Sequence, residues 1–214
     1  MRFAGTSGLG KRVTITTVKP HVHIQQYIKA ACGAKEKAVF VDRDGTIVCD
    51  TGYPHKIEDL EIRNQFVEFL QTITANEIPI YMITNQSGVG RGYFPMREMF
   101  AFNDELSRRL LALNISMTAA ISCTFFSKTS LAFKYRKPAP GMFFEIRDRY
   151  FVELTSSIMV GDTKADAIAA QRAGLRGCLL ADAALVGFSE PEDSEDATFK
   201  VYDTPLDALD ALLL

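Results

Sequence analysis

The chain has 214 residues, 47% hydrophobic and 23% charged, so it can bury the core of an ordinary domain without disulfides. Its formal net charge of −2 excludes the basic excess typical of nucleic-acid-binding proteins, and its four cysteines form no closely spaced pair. The sequence contains no apolar run of the ~18 residues that a membrane span needs, and its N-terminus does not resemble a signal peptide. We therefore expect a cytoplasmic protein that does not associate with membranes.

The N-terminal segment gives the weakest signals. We expect residues 1–36 to form an extension of unknown role, followed by a single domain over 37–214. A strand is expected at 12–18. A short helix is expected at 22–32, because apolar residues recur there with helical spacing.

From residue 37 onward, short apolar runs alternate with amphipathic segments. The runs typical of strands are 38–42, 78–84, 119–124, 157–161, 177–181 and 199–202. The segments with a helical pattern are 63–75, 95–113, 140–153, 164–173 and 205–213. Continuous apolar runs are typical of parallel strands that are buried on both faces. The sequence therefore predicts an α/β fold with an open, mainly parallel sheet, and an acidic solvated loop at 190–196.

Polar side chains stand at the ends of three predicted strands, where such sheets bind their ligands. Asp42, Thr84 and Asp162 occupy these positions, and Asp44 follows Asp42 by two residues. Together with Lys137 they form a set suited to phosphate ester hydrolysis. That reaction needs a nucleophile, a proton donor and positive charge to balance the phosphate.

Each member of the set has an expected role. Asp42 is expected to attack phosphorus and form an aspartyl-phosphate, and Asp44 to protonate the leaving alcohol and later deprotonate water. Carboxylate oxygens are the ligands that Mg²⁺ prefers, so Asp42, Asp44 and Asp162 are the predicted metal ligands. Lys137 and the hydroxyl group of Thr84 are expected to hold the non-bridging phosphate oxygens.

Asp166 is expected to support this site without contacting the substrate. It stands one helical turn after Asp162, where it can support the metal ligands or orient Lys137. Thr163-Lys-Ala-Asp166 also has the form of a capping box, which predicts the start of a helix.

Four motifs, in this order, resemble those of the haloacid dehalogenase (HAD) phosphohydrolases. They are Asp42-Arg-Asp-Gly-Thr46, Thr84-Asn, Arg136-Lys-Pro138 and Gly161-Asp-Thr-Lys-Ala-Asp166. Over roughly residues 37–181 the chain more narrowly resembles the D-glycero-D-manno-heptose-1,7-bisphosphate 7-phosphatases and their histidinol-phosphatase relatives. That resemblance rests on the stretches 50–60, 84–92 and 136–142. It implies a Rossmann-like three-layer fold with a minimal or missing cap. It also implies magnesium-dependent removal of phosphate from a small metabolite, a sugar (heptose) bisphosphate.

By motif matching, the resemblance implies a set of residues that contact phosphate or substrate. They are Tyr53, His55, Asn85, Gln86, Ser87, Arg91 and Arg136. The stretch 53–55 is expected to border the entrance.

One departure from the family concerns a zinc loop. Most members have Cys-x-His followed by Cys-x-Cys before Arg-Lys-Pro, and the corresponding positions here are Cys123, Phe125, Phe133 and Tyr135. One ligand of four cannot form a closed tetrahedral site. We therefore expect no structural zinc, a buried thiol at Cys123 and hydrophobic packing by the aromatic residues.

Two other functions stay open. The polynucleotide kinase/phosphatase family shares Thr-Asn-Gln, Gly-Arg-Gly and Tyr-Arg-Lys-Pro with a following Gly-Met, so a 3′-phosphatase for DNA ends is the first alternative. The missing basic excess and Arg43 between the two acids argue against it. The second is a catalytically inactive binding protein on a HAD fold, against which the intact set of reacting groups argues. We expect a small phosphorylated metabolite as partner and no nucleic acid, and the oligomeric state stays open.

Overall fold

The computed structural model describes residues 2–6, 12–28, 35–126, 132–181 and 199–214. Strands β1 to β9 span Arg2–Thr6, Arg12–Lys19, Val22–Gln26, Val39–Val41, Ile80–Asn85, Met117–Cys123, Ile158–Gly161, Gly177–Leu180 and Lys200–Tyr202. Helices α1 to α7 span Val67–Ala75, Ser87–Gly90, Met96–Ala112, Ala132–Tyr135, Gly141–Tyr150, Lys164–Arg172 and Pro205–Leu213. The acidic run at 190–196 lies outside the described residues. Within them, no helix is both long and apolar enough to cross a bilayer.

The strands form one sheet in the order β1-β2-β3-β6-β5-β4-β7-β8-β9. The six strands from β6 to β9 pair in parallel, and β1 to β3 continue the sheet in antiparallel pairing beyond β6. Each parallel strand coincides with one of the predicted apolar runs. The predicted α/β fold with a mainly parallel sheet is thus confirmed.

Helices cover both faces of this sheet and bury its centre. In β4, Phe40 packs into the layer with α5 and α6, while Val39 and Val41 pack into the layer with α1, α3 and α7. All three side chains are fully buried. Because both faces of β4 are covered, its carboxyl end is a rigid support for whatever residue follows.

The segment between β4 and α1 contains two short 3₁₀ turns, Ile57–Asp59 and Asn64–Phe66. Val48 forms isolated bridges with Asp44 and Ile62, which fold this segment back onto the end of the sheet. No separate cap domain occurs among the described residues 42–66, so this loop borders the site directly.

The N-terminal segment departs from expectation. The strand predicted at 12–18 is present as β2, but the helix predicted at 22–32 is wrong, because Val22–Gln26 forms strand β3. Ile24 of β3 pairs with Ile121 of β6. The apolar residues of this segment alternate with a period of two, and hydrogen bonding to β6 stabilises the extended form. Residues 29–32 lie outside the described residues.

Candidate active site

The predicted site residues meet at the carboxyl ends of neighbouring parallel strands. Asp42 follows β4 directly, Thr84 lies near the end of β5, and Asp162 follows β7. Since β4 is hydrogen-bonded to both β5 and β7, the three side chains share one crevice. A cavity of about 450 Å³ opens there, and its lining includes all three together with Asp44 and Lys137.

Lys137 is buried between two carboxylates. Its ammonium nitrogen lies 2.7 Å from Oδ1 of Asp42 and 2.6 Å from Oδ1 of Asp166. The ammonium group also donates a hydrogen bond to the carbonyl oxygen of Ile83 at 2.9 Å. Two ion pairs and one hydrogen bond therefore fix the direction of the side chain. Burial alone would lower the pKa of Lys137, but the charges of Asp166 and Asp42 outweigh it and raise the pKa.

A group of three carboxylates stands at this end of the cavity. Oxygen atoms of Asp42, Asp162 and Asp166 all lie within 4.8 Å of one another. Asp166 is fully buried and is already engaged by Lys137 and by the backbone N–H and hydroxyl of Thr163, at 3.1 and 2.6 Å. The predicted capping box is therefore present at the start of α6. Asp42 and Asp162 line the cavity, and their carboxylates suit a hard cation such as Mg²⁺.

The electrostatics of these carboxylates also favour a cation. Burial raises the pKa of Asp42 to about 8, and Lys137 acts in the opposite direction. Burial likewise raises the pKa of Asp162, and the charge of Asp166 adds to that effect. Ionising both groups in this site therefore costs free energy that a divalent cation would offset.

Gly45 allows Asp162 to reach this position. Its φ of +81° lies in the left-handed region that favours glycine, and a Cβ atom there would overlap the carboxylate of Asp162. The hydroxyl of the next residue, Thr46, donates to Oδ1 of Asp162 at 3.3 Å. The Gly-Thr that follows the two acids thus holds a third acid, 116 residues further along the chain.

Asp44 lies apart from the carboxylate group. Its Oδ1 accepts from Nε of Arg43 at 2.7 Å, and its Oδ2 accepts from Nη2 of Arg43 at 3.1 Å and from Nε2 of Gln86 at 2.7 Å. These bonds hold the Asp44 carboxyl group in the cavity wall. Of the three predicted metal ligands, Asp42 and Asp162 therefore lie together, and the role of Asp44 as a ligand stays a prediction. Sequence reasoning gave Arg43 no structural part in the site.

The residues predicted to contact substrate fall into two groups. Those that line the cavity are Tyr53, Asn85, Gln86, Ser87 and Arg136. The other two, His55 and Arg91, are outside its lining. The ring of His55 stacks on Phe94 with centroids 4.2 Å apart, and the Arg91 guanidinium lies 5.7 Å from the ring centre of Phe126. Asp50 and Thr163 also line the cavity, although neither was predicted as a contact.

At the positions that correspond to the zinc loop of the family, Cys123 is a fully buried free thiol, as expected, and burial raises its pKa. Phe125 is buried next to it, and the hydroxyl of Tyr135 donates to Glu145 at 3.0 Å. The side chain of Phe133 lies outside the described residues. The absence of zinc stays a prediction.

A mainly parallel α/β sheet that ends in Asp42, Asp44, Lys137 and Asp162 defines a HAD-like hydrolase. The HAD-hydrolase-like family model matches residues 134–207. A crystal structure of a HAD-like protein from Mesorhizobium loti superimposes with a TM-score of 0.77 at 30% identity, covering 92% of this chain and 94% of that one.

Two further relatives define the family more narrowly. The D-glycero-alpha-D-manno-heptose-1,7-bisphosphate 7-phosphatase of Photorhabdus laumondii is 33% identical over 168 residues, which are 76% of this chain and 90% of that protein. The D,D-heptose 1,7-bisphosphate phosphatase of B. bronchiseptica, crystallised with magnesium and phosphate, has a TM-score of 0.70 at 26% identity, covering 83% and 98%. The chain belongs to the heptose-1,7-bisphosphate 7-phosphatase family of HAD-like proteins, and it is a phosphatase.

Proposed function

We propose that this phosphatase removes the 7-phosphate from a D-glycero-D-manno-heptose 1,7-bisphosphate, with Mg²⁺ and through an aspartyl-phosphate at Asp42. The observation that carries the proposal is the placement of Asp42 at the end of the central strand β4, paired with Lys137 and next to Asp162. The named relatives act on heptose bisphosphates, and one of them was crystallised with magnesium and phosphate. A cavity of about 450 Å³ is of a suitable size for a sugar phosphate.

In the first half of the reaction, a carboxylate oxygen of Asp42 attacks phosphorus and the bond to the sugar oxygen breaks. Asp44 gives its proton to that oxygen, so the sugar leaves as a neutral alcohol. In the second half, Asp44 takes a proton from water, which attacks the same phosphorus and releases Asp42 as a carboxylate. When bound by Asp42 and Asp162, Mg²⁺ would neutralise charge on the phosphate and the carboxylates.

Thr84 and Lys137 supply the donors for the phosphoryl oxygens. The hydroxyl oxygen of Thr84 accepts from Nε2 of Gln86 at 2.8 Å, so its own proton is free to be donated toward the cavity. Lys137 lies against Asp42 and therefore next to the transferred phosphoryl group. Both donors are held by the protein before substrate arrives, which is the arrangement that stabilises a transition state most effectively.

The test is phosphate release, with Mg²⁺, from a panel of compounds. It includes both anomers of heptose 1,7-bisphosphate, hexose bisphosphates, histidinol phosphate and a 3′-phosphorylated oligonucleotide. We expect the highest kcat/KM for a heptose bisphosphate. A preference for the oligonucleotide would instead support the DNA-end alternative, and a preference for histidinol phosphate would place the substrate among the amino alcohol phosphates.

A further inference from the structure

A buried guanidinium holds the proposed proton donor. The side chain of Arg43 is fully buried, and its Nε and Nη2 atoms bind both oxygens of the Asp44 carboxyl group. Nη2 also donates to the carbonyl oxygen of Pro54 at 2.8 Å and to Oε1 of Gln86 at 2.9 Å. The ring of Phe102 lies 4.6 Å below the guanidinium carbon. The direction of Asp44 therefore depends on how firmly Arg43 is held.

A chain of buried hydrogen bonds leads from Arg43 to the N-terminal part of the protein. Nη1 of Arg43 donates to Oδ1 of Asn103 at 3.0 Å, and Nδ2 of Asn103 donates to Oε1 of Gln25 at 2.8 Å. Nε2 of Gln25 donates in turn to Oδ1 of Asp104 at 2.8 Å and to the carbonyl oxygen of Phe100 at 3.0 Å. All these bonds run in one direction, from the guanidinium to the acceptors on α3.

The direction of these hydrogen bonds fixes which end of each amide group, oxygen or nitrogen, faces each partner. The amide nitrogen of Gln25 is used by two acceptors, so only its oxygen can face Asn103. Asn103 must then turn its nitrogen to Gln25 and its oxygen to Arg43. Gln25 and Asn103 are both at most 1% exposed, so water cannot replace a lost partner at low cost.

Gln25 belongs to β3, which pairs with β6 at the side of the sheet remote from β9. It therefore lies in the N-terminal segment 1–36, outside the part of the chain that carries the four phosphatase motifs. Its contact with Asn103 spans 78 residues of sequence. This gives the N-terminal segment a specific structural link to the cavity.

We propose that Gln25 is a positioning residue for catalysis: through Asn103 and Arg43 it holds the carboxyl group of Asp44 where it protonates the leaving group. The proposal rests on the proposed function, because it requires Asp44 to be the general acid. Without Gln25, the amide nitrogen of Asn103 keeps, among the described residues, only its 3.4 Å bond to Oγ of Ser122, so the amide group is held less firmly against Arg43. The guanidinium then shifts or loses a bond, and Asp44 moves with it.

The leaving group provides a readout that a purely structural role would not change. A sugar alkoxide is a poor leaving group and needs a proton as the bond to phosphorus breaks. p-Nitrophenolate is stable as an anion and needs none. Misplacing Asp44 therefore slows transfer of the phosphoryl group from the sugar phosphate to Asp42 much more than transfer from p-nitrophenyl phosphate, whereas general destabilisation slows both equally. The later attack of water, in which Asp44 also acts, is the same for both substrates.

The experiment compares Gln25→Met with Gln26→Met in the full chain. Gln26 is the matched control, because it is the same residue type on the same strand. Among the described residues, its side chain bonds only to the carbonyl oxygen of Ile28, at the surface. For each variant, kcat/KM is measured on heptose 1,7-bisphosphate and on p-nitrophenyl phosphate, because kcat/KM reflects only the steps up to departure of the leaving group. We expect Gln25→Met to lower the ratio of the two kcat/KM values about tenfold, a part of the 10²–10⁴ that general acid catalysis contributes. Gln26→Met should leave the ratio unchanged.

Asp104→Ala is the second variant, and it keeps the test valid if Gln25→Met fails to fold. Asp104 is only partly buried, and the substitution removes one of the two oxygen atoms that accept hydrogen bonds from Gln25. A smaller fall in the same ratio is expected. An unchanged ratio in the folded variants would overturn the inference, as would an equal loss on both substrates.

Asp44→Asn separates this outcome from failure of the proposed function. It should lower the same ratio at least as strongly as Gln25→Met. If it does and Gln25→Met does not, the positioning role alone is wrong. If the wild type hydrolyses neither compound, or if Asp44→Asn leaves the ratio unchanged, the proposed function and the positioning role are both wrong.

Discussion

Asn85 and Lys137 exchange two hydrogen bonds across 52 residues of sequence. The backbone N–H of Lys137 donates to Oδ1 of Asn85 at 3.0 Å, and Nδ2 of Asn85 donates to the carbonyl oxygen of Lys137 at 3.1 Å. This pair joins the last residue of β5 to the loop before α5. The end of the sheet therefore fixes the position of the Lys137 backbone relative to the site. Asn85 thus does more than line the cavity.

Replacing Lys137 with Met should destabilise the fold. The carboxylates of Asp42 and Asp166 would lose their shared cation, and removing one partner of a buried ion pair costs about 3–5 kcal/mol of unfolding free energy. Urea denaturation at pH 8 measures this loss. It should shrink toward pH 5, because buried carboxyl groups without a partner take up protons more readily than the unfolded chain does. Lys200→Met, at an exposed position of β9, is the control. A loss below ~1 kcal/mol would contradict the buried pairing.

Replacing Asp42 with Asn should abolish turnover while the protein stays folded. The amide has the shape of the carboxylate but is not a nucleophile, so kcat should fall by more than ~10³-fold. In the wild type, quenching during turnover followed by borohydride reduction should convert the phosphorylated residue to homoserine at position 42. Asp50→Asn is the control, because Asp50 lines the same cavity and, within the described ranges, bonds only to the backbone of Gly52. Homoserine at another position would show that the nucleophile is misassigned.

Removing the metal should stop the reaction, and Mg²⁺ should restore it after EDTA treatment. Asp162→Asn should raise the Mg²⁺ concentration needed for half-maximal activity by at least the ~10–100-fold that losing a supporting residue of a metal site costs. Titrations of Mg²⁺ against activity and against thermal unfolding measure this. Elemental analysis of the purified protein should also find no stoichiometric zinc. Full activity in EDTA would contradict the proposed role of Mg²⁺.

Stability should fall as the pH drops from about 6.5 to 4 because of His23. Burial, and secondarily the charge of His21, lowers the pKa of His23 to about 4. The folded protein then binds fewer protons at this residue than the unfolded chain, so acidification favours unfolding. The effect should be roughly 1–3 kcal/mol and should disappear in His23→Gln. Denaturation at several pH values tests it, with His21→Gln retaining most of the slope. An identical slope in wild type and His23→Gln would contradict the assignment.

The residues after the parallel strands were predictable because strands buried on both faces are continuous apolar runs that end abruptly. Asp42, Thr84 and Asp162 each follow or close such a run, and Lys137 was found from its place in a motif. The carboxyl ends of parallel strands meet at one edge of the sheet, so order along the chain was enough to predict that these side chains lie together.

Two features could not be obtained in this way. The bonds from Gln25 to Asn103 and from Asn103 to Arg43 join residues 78 and 60 positions apart, and a buried amide leaves no periodic signal in a sequence. The sequence also does not show that Asp166, and not Asp44, lies next to the carboxylates of Asp42 and Asp162. That arrangement depends on side-chain direction, which the spacing of residues in the sequence does not determine. The strand Val22–Gln26 has a sequence signal, since its apolar residues alternate, but the spacing of Val22, Tyr27 and Ile28 also fits a helix.

The most direct test of the central claim is ³¹P NMR of the reaction with D-glycero-D-manno-heptose 1,7-bisphosphate and Mg²⁺. We predict that the signal of the 7-phosphate disappears as inorganic phosphate accumulates, while the 1-phosphate signal persists. We also predict that Asp42→Asn shows neither change. Loss of the 1-phosphate first, or an unchanged spectrum under conditions in which the 3′-phosphorylated oligonucleotide is hydrolysed, would contradict the claim.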